Sequence, residues 1–198
     1  LSRYIRTIAR DHNGTVYAGT QNGKVYRVNR DSLVCIFDMN RAFKDLYDLP
    51  NITFIKEIGA GQLWIGTSVG KMVRLDILKD GQYSAPIFYG QDLFKKEQIV
   101  AASFGPKGNC LIQVPYLGLF YMDVVTGKIS RIKMPFGDLG VHGQVFMAPL
   151  DTARTIIMTN TPGIGKEKLF IYDFLKKEFT VQDLHYPRFL EDNHIVWL

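Results

Sequence analysis

The stretch that decides the fold is GTVYAGTQNGKVYRVN, residues 14–29, because its pattern returns without a gap as GQLWIGTSVGKMVRLD at residues 61–76. A third copy, GNCLIQVPYLGLFYMD, occupies residues 108–123, so the three copies begin 47 residues apart. The third copy has lost the Gly-Thr pair of the first two to Gln113 and Val114. A regular period of this length indicates a repeat architecture.

Two weaker copies extend the pattern. The fourth ends in KLFIYD at residues 168–173, and its extra residues fall in the loop 162–166. The last residues, 192–198, read DNHIVWL and match the opening of a fifth copy. We therefore expect about four repeats plus the start of a fifth in an incomplete ring, with bounds near 1–46, 47–94, 95–140, 141–188 and 189–198.

Each repeat has the pattern of four short antiparallel strands. In the first repeat we predict strands at residues 4–9, 15–20, 24–29 and 33–38, with hairpin turns at Gly14 and Gly23, because glycine adopts positive φ without steric cost. A helix is predicted only at residues 41–49. A unit of four strands in about 45 to 50 residues is typical of a β-propeller blade, which buries its apolar faces by stacking on its neighbours. The predicted fold class is all-β, a β-propeller of four-stranded antiparallel blades.

Composition and charge exclude several classes of function. The chain is 46% hydrophobic and 22% charged, which is ordinary for a folded domain. Its net charge of +5 is scattered along the sequence, whereas a nucleic-acid surface concentrates its cations, so we expect no nucleic-acid partner. Cys35 and Cys110 lie far apart in apolar runs without metal-ligand spacing, and we expect both to be small buried hydrophobic residues.

The sequence contains no apolar stretch of the ~18 residues that a membrane-spanning helix needs, and its first residues lack the pattern of a signal peptide. From this alone the chain is either cytoplasmic or a piece without its targeting segment. Any link to a membrane is expected to run through segments outside this sequence.

No motif predicts catalysis, a metal or a cofactor. The stretch Gly163-Ile-Gly165-Lys166 lacks the spacing of a phosphate-binding loop and precedes a strand pattern. The histidines have no partner at metal-ligand spacing and are interpreted as solvated loop residues; they are His12, His142, His185 and His194. Asp11 and Asp76 belong to the repeated turns, so we interpret them as structural residues. We expect this segment not to be an enzyme.

Ligand binding is expected on the loops that join one blade to the next and the second strand to the third. Polar and aromatic residues that do not recur between repeats are the candidates there, namely Tyr116, His142 and Arg188, with Arg41 as a weaker one. Aromatic rings stack on sugar rings and arginine donates paired hydrogen bonds, so this set favours an oligosaccharide ligand.

The repeated motif resembles the two-component regulator propeller repeat of bacterial hybrid histidine kinases. The residues that carry the resemblance are Asp11, Gly14, Tyr17, Gly19, Thr20, Gly23 and Arg27 in the first copy and Gly61, Trp64, Gly66, Thr67, Gly70, Arg74 and Asp76 in the second. The resemblance implies a periplasmic ligand-sensing region, often for glycan-derived carbohydrates, whose full-length protein carries a histidine kinase. Its partners would be neighbouring blades or a dimer partner.

Two alternatives stay open. One is a cytoplasmic protein-interaction scaffold of WD40 type, although the Gly-His and Trp-Asp signature of that family is absent from the sequence. The other is a propeller lyase or hydrolase.

Overall fold

The computed structural model describes residues 4–43, 50–59, 61–90, 93–94, 97–135, 145–159 and 168–183. These residues form 16 strands in four antiparallel sheets of four strands each. In every sheet the strands lie side by side in chain order. The predicted all-β fold of four-stranded antiparallel blades is confirmed, whereas the expected start of a further blade at 189–198 lies outside the described residues.

Each blade takes one segment of the chain. Blade 1 contains β1 (Ile5–Arg10), β2 (Val16–Thr20), β3 (Lys24–Val28) and β4 (Leu33–Asp38), followed by helix α1 (Met39–Ala42). Blade 2 contains β5 (Ile52–Ile58), β6 (Gln62–Thr67), β7 (Met72–Asp76) and β8 (Ile87–Tyr89). Blade 3 contains β9 (Ala101–Phe104), a 3-10 turn (Pro106–Gly108), β10 (Cys110–Val114), β11 (Gly118–Met122) and β12 (Ile129–Arg131). Blade 4 contains β13 (Val145–Pro149), β14 (Arg154–Thr159), β15 (Lys168–Asp173) and β16 (Glu178–Asp183).

The strands predicted for the first repeat agree with β1 to β4 to within one residue at each end. The helix predicted at residues 41–49 is wrong in its bounds. Helix α1 begins at Met39 because the Asp38 carboxylate accepts the backbone N–H of Asn40 at 3.1 Å and caps it. The backbone is already extended at Phe43, which ends the helix, and residues 44–49 lie outside the described part of the chain.

Alternation of side chains along the strands lets blade 2 pack on both neighbours. Leu63 and Ile65 on β6 lie in one buried cluster with Tyr17 of blade 1. Trp64, between them in sequence, points to the opposite face and lies in a second cluster with Phe120 of blade 3. Burial of each such side chain contributes about 1.5 to 3 kcal/mol, so the contact between blades holds the fold together.

Blade 3 repeats this arrangement toward blade 4. Leu111 and Tyr121 pack with Phe170 and Tyr172 in a third buried cluster. The first strands of successive blades also contact each other, β1 with β5, β5 with β9 and β9 with β13. The blades therefore stack face to face in chain order, with their first strands on one side, as in a propeller.

The antiparallel order gives each blade two distinct ends. The end that carries the turns β2–β3, β6–β7 and β10–β11, together with the links from one blade to the next, is named the connection end. The opposite end is named the turn end. It carries the turn between the first and second strands and the turn between the third and fourth strands of each blade. Corresponding ends of blades 1 and 2 lie side by side, because His12 Nδ1 at the turn end of blade 1 is 2.7 Å from Glu57 Oε1 at the turn end of blade 2.

The two cysteines differ in their surroundings. Cys110 is completely buried, and burial raises the pKa of its thiol. Cys35 is exposed, so the expectation of a second buried cysteine is wrong. Phe37 pairs with Val25, which faces blade 2, but after a register shift Cys35 pairs with Tyr26 and therefore lies on the opposite face of blade 1, which blade 2 does not cover. Both are free thiols.

Candidate functional site

Tyr116 lies at the connection end of blade 3, on the turn between β10 and β11. The backbone N–H of Leu117 donates to the carbonyl of Val114 at 3.2 Å, which closes a β-turn with Pro115 and Tyr116 at its centre. Tyr116 has a φ of +66° and is 64% exposed. Proline followed by a residue with positive φ is the pattern of a type II turn, where glycine is the usual occupant.

A left-handed conformation at a tyrosine costs about 1 to 2 kcal/mol relative to glycine. An exposed aromatic ring gains little from burial that could offset this cost. Strained residues of this kind occur preferentially at binding sites, where the surroundings hold them in place. The geometry of Tyr116 therefore gives a second reason, besides its loop position, to treat it as a candidate ligand contact.

Arg41 lies in the last turn of helix α1, and its side chain is 88% exposed. Its Nε is 3.7 Å from Asp38 Oδ2, and Lys24 Nζ is 3.2 Å from the same oxygen. Burial alone would raise the pKa of the Asp38 carboxyl, but the hydrogen bonds from Lys24 and Asn40 outweigh it and hold this pKa below its ordinary value. Arg41 is thus partly neutralised by a carboxylate yet free to reach a ligand.

The four candidates are not brought together by the described structure. His142 and Arg188 lie outside the described residues. Tyr116 belongs to blade 3 and Arg41 to the link between blades 1 and 2, so blade 2 lies between them. The two described candidates share the connection end of the blades but form no single cluster.

Sequence reasoning missed an aromatic and basic group at the connection end of blades 1 and 2. Phe43 and Phe88 meet edge to face with ring centroids 4.7 Å apart. Lys71 Nζ lies 5.1 Å from the centroid of the Phe43 ring, within the range of a cation–π contact. Lys71 belongs to the repeated Gly-Lys motif. Nothing in the sequence indicates that its ammonium group contacts the ring of Phe43, 28 residues earlier.

A hydrogen-bond network ties Asp11 into the turn end of blade 1. Its Oδ1 accepts the backbone N–H of Thr15 at 2.8 Å, and its Oδ2 accepts the hydroxyl of Tyr17 at 3.0 Å. Burial would raise the pKa of Asp11, but these hydrogen bonds dominate and lower it. Burial together with Tyr83 and Asp11 raises the pKa of Tyr17. The carboxylate is engaged in holding the turn.

Glu57 connects the turn ends of blades 1 and 2. Its Oε1 is 2.7 Å from His12 Nδ1, and its Oε2 accepts the backbone N–H of His12 at 2.7 Å. The Glu57 side chain is only 8% exposed, and it also accepts the N–H of Gly61 at 2.9 Å. His12, interpreted from sequence as a solvated loop residue, is in fact part of a contact between blades, although about half of its side chain is exposed.

Within the described ranges, no group of three or more His, Cys, Asp or Glu side chains is placed to hold a metal ion. Among the same residues, no helix has the length and apolar character needed to cross a membrane.

No protein-family model matches the chain, and no curated protein matches it in sequence. Solved structures do match its fold. One is the extracellular domain of a putative hybrid two component system from B. thetaiotaomicron, with a TM-score of 0.67 and 17% sequence identity. The match covers 93% of this chain and 25% of that one.

A second match is a protein of unknown function from Bacteroides caccae, with a TM-score of 0.58 and 10% identity, covering 90% of this chain and 60% of that one. The chain thus spans a quarter of the first structure and three fifths of the second. At these identities the likeness concerns the fold alone: the stacked blades of this chain share their architecture with part of an extracellular domain of a two-component system.

Proposed function

We propose that this chain is part of the extracytoplasmic sensor region of a two-component system and binds a ligand without transforming it. The observation that carries the proposal is the shared architecture with an extracellular domain of a hybrid two-component system over 93% of this chain. The repeated motif around Thr20 and Thr67 supports the same assignment through its resemblance to regulator propeller repeats. In this proposal the full-length protein is anchored in a membrane, faces the periplasm and carries a histidine kinase.

The proposed ligand surface is the connection end, with Tyr116 as its aromatic contact. A flat, exposed ring on a closed turn offers a stacking face at little entropic cost, because the side chain has only two rotatable angles. Arg41, His142 and Arg188 are the proposed polar contacts. Such a combination suits an oligosaccharide, whose rings present apolar faces and hydroxyl groups.

The proposal of a non-catalytic role is supported by how several of the described carboxylates are used. Asp11, Asp123, Asp151 and Asp173 each accept backbone N–H groups of their own turns. Glu57 is occupied by His12 and Gly61. Carboxylates held in this way fix turns and blade contacts, whereas a general acid or base needs access to a substrate atom.

Isothermal titration calorimetry with a panel of oligosaccharides tests the proposal. We expect a member of the panel to bind without release of a product, and Tyr116→Ala to weaken binding by about tenfold through loss of ring stacking. The matched control is Leu33→Ala, an exposed residue at the turn end of blade 1, which should leave the affinity unchanged. Cleavage of the bound oligosaccharide, or equal affinity of the Tyr116→Ala variant, would contradict the proposal.

A further inference from the structure

Blades 2, 3 and 4 each expose an aliphatic residue in the connection between their third and fourth strands, two positions after an aspartate. Each turn follows an aspartate, and two residues later stand Leu78, Val125 and Leu175. These residues are 45%, 82% and 71% exposed. All three turns lie at the turn end of their blades. A single exposed aliphatic residue is ordinary. Here one occurs at the same sequence offset in three blades, and in blades 3 and 4 the turn that carries it is built in the same way.

The turns of blades 3 and 4 present these side chains rigidly. Asp123 Oδ1 accepts the N–H of Val125 at 3.0 Å, and Asp173 Oδ1 accepts the N–H of Leu175 at 2.8 Å. The residue just before each exposed one points inward, since Val124 is 9% and Phe174 only 3% exposed. The aspartate thus holds the backbone so that one apolar side chain is buried and the next projects into solvent.

Exposed lysines flank each of these projecting residues. They are Lys79 in blade 2, Lys128 in blade 3, and Lys176 and Lys177 in blade 4.

Few exposed carboxylates oppose these lysines. Among the residues that adjoin these turns, the exposed carboxylates are Asp80, which accepts the N–H of Gln82 at 2.9 Å, and Glu178. Asp123 and Asp173 accept backbone N–H groups. Asp76 Oδ1 lies 3.1 Å from Arg74 Nε. We refer to Leu78, Val125 and Leu175 as the apolar tips. Lys177 Nζ lies 4.9 Å from the centroid of the Tyr121 ring, but the other three lysines still outnumber the two exposed carboxylates around the tips.

We propose that the turn end of blades 2 to 4 binds an anionic lipid surface, with Leu78, Val125 and Leu175 entering the headgroup region. Stacked sheets lie about 10 Å apart, so tips in different blades form separate points rather than one apolar patch. A protein partner needs a continuous desolvated core at its interface. A bilayer accepts separate apolar side chains one by one and attracts the lysines that flank them. This inference does not depend on the ligand proposed above.

Blade 1 has no aliphatic residue at the corresponding position, so a substitution there can test whether vesicle binding increases. Its turn between β3 and β4 is closed by the N–H of Asn29, which donates to the carbonyl of Ser32 at 2.9 Å. The residue equivalent to the three tips is Asp31, an acidic side chain. Asp31→Leu would create a fourth tip and remove a negative charge without touching a buried residue.

Sedimentation with vesicles tests the inference, using phosphatidylglycerol mixed with phosphatidylcholine against phosphatidylcholine alone. We expect binding only to the anionic vesicles, about a tenfold loss for Leu175→Asp or Leu78→Asp, and tighter binding for Asp31→Leu. Leu93→Asp is the matched control, because Leu93 is 44% exposed but lies at the connection end. Circular dichroism verifies that each variant is folded.

The expected result has three parts: selective binding to anionic vesicles, loss with the tip variants, and retention with the Leu93→Asp variant. Equal binding of tip variants and wild type, equal loss with Leu93→Asp, or binding that ignores vesicle charge would overturn the inference. So would the absence of vesicle binding by the wild-type chain.

Discussion

The β6–β7 turn of blade 2 and the β10–β11 turn of blade 3 occupy corresponding places of the repeat but are stabilised differently. In blade 2, Thr67 Oγ1 accepts the N–H of Lys71 at 3.0 Å and donates to its carbonyl at 2.7 Å. Thr20 makes the same pair of contacts with Lys24 in blade 1. Blade 3 has Val114 at this position and instead uses the Pro115-Tyr116 turn, with its strained tyrosine.

The strand before the turn differs as well. Gly66 of blade 2 lies so close to Phe54 that an added Cβ would overlap the ring, whereas the corresponding pair in blade 3 is Gln113 and Ala101. A large residue faces glycine in one blade, and a small residue faces a long one in the other. The difference shows that the repeat stabilises the same hairpin in more than one way. Blade 2 uses close packing on glycine and the threonine contact, whereas blade 3 lacks the threonine contact and exposes an aromatic ring.

The largest expected effect is that of Gly66→Ala. Its new Cβ would overlap the Phe54 ring, and overpacking of this kind lowers the free energy of unfolding by about 3 kcal/mol. Urea denaturation measures it. The same substitution in a Phe54→Ala background should cost less, because the smaller side chain leaves room, as Ala101 does in blade 3.

Gly59→Ala is the control for this prediction. Nothing lies within 4 Å of a Cβ added there, although the φ of +59° makes alanine unfavourable by about 1 kcal/mol. If Gly66→Ala were no more destabilising than Gly59→Ala, the role of Gly66 in close packing would be wrong.

A smaller effect is expected for Thr67→Val. The substitution keeps the shape of a completely buried side chain but removes both hydrogen bonds to Lys71, at a cost of about 2 kcal/mol in the free energy of unfolding. Thr53→Val is the matched control in the same blade, because the Thr53 hydroxyl is buried without a hydrogen-bond partner. Equal losses of stability in the two variants would show that the contact with Lys71 is unimportant.

The smallest expected effect is an increase in stability. Tyr116→Gly should raise the free energy of unfolding by about 1 kcal/mol, because glycine adopts the positive φ of this turn without strain. Tyr116→Ala removes the same ring but keeps the strain, so it should give no such gain. Thermal unfolding of the two variants separates the contribution of the backbone from that of the ring, and a destabilised Tyr116→Gly variant would argue against strain.

Local features of the fold were predictable from the sequence. Strand bounds in the first repeat follow from hydrophobic alternation and from turn glycines such as Gly14 and Gly23, both of which have positive φ in the structure. Contacts between blades were not predictable in this way. His12 and Glu57 are 45 residues apart, and Ser103 and Thr155, joined by a 2.7 Å hydrogen bond, are 52 apart. Only the stacking of blades brings such pairs together.

The candidate site was predictable only in part. Its place in a loop identified Tyr116 as a candidate ligand contact. The sequence Pro-Tyr is compatible with turns of either sign of φ at the tyrosine, so the strain is visible only in the structure. The sequence indicates Arg41 as a weaker candidate because it is a non-repeating polar residue of a loop, whereas its contact with Asp38 depends on a helix that begins before the predicted one. His142 and Arg188 stay predictions.

The central claim is that the Pro115-Tyr116 turn contacts the ligand while the threonine-closed hairpins serve as scaffold. Hydrogen–deuterium exchange with and without an oligosaccharide that binds in calorimetry tests it most directly. The account predicts that the oligosaccharide slows exchange in the turn at residues 114–118 and leaves the hairpins at residues 20–24 and 67–71 unchanged. Protection of those hairpins, or of the turn end of the blades, with no change around Tyr116 would contradict it.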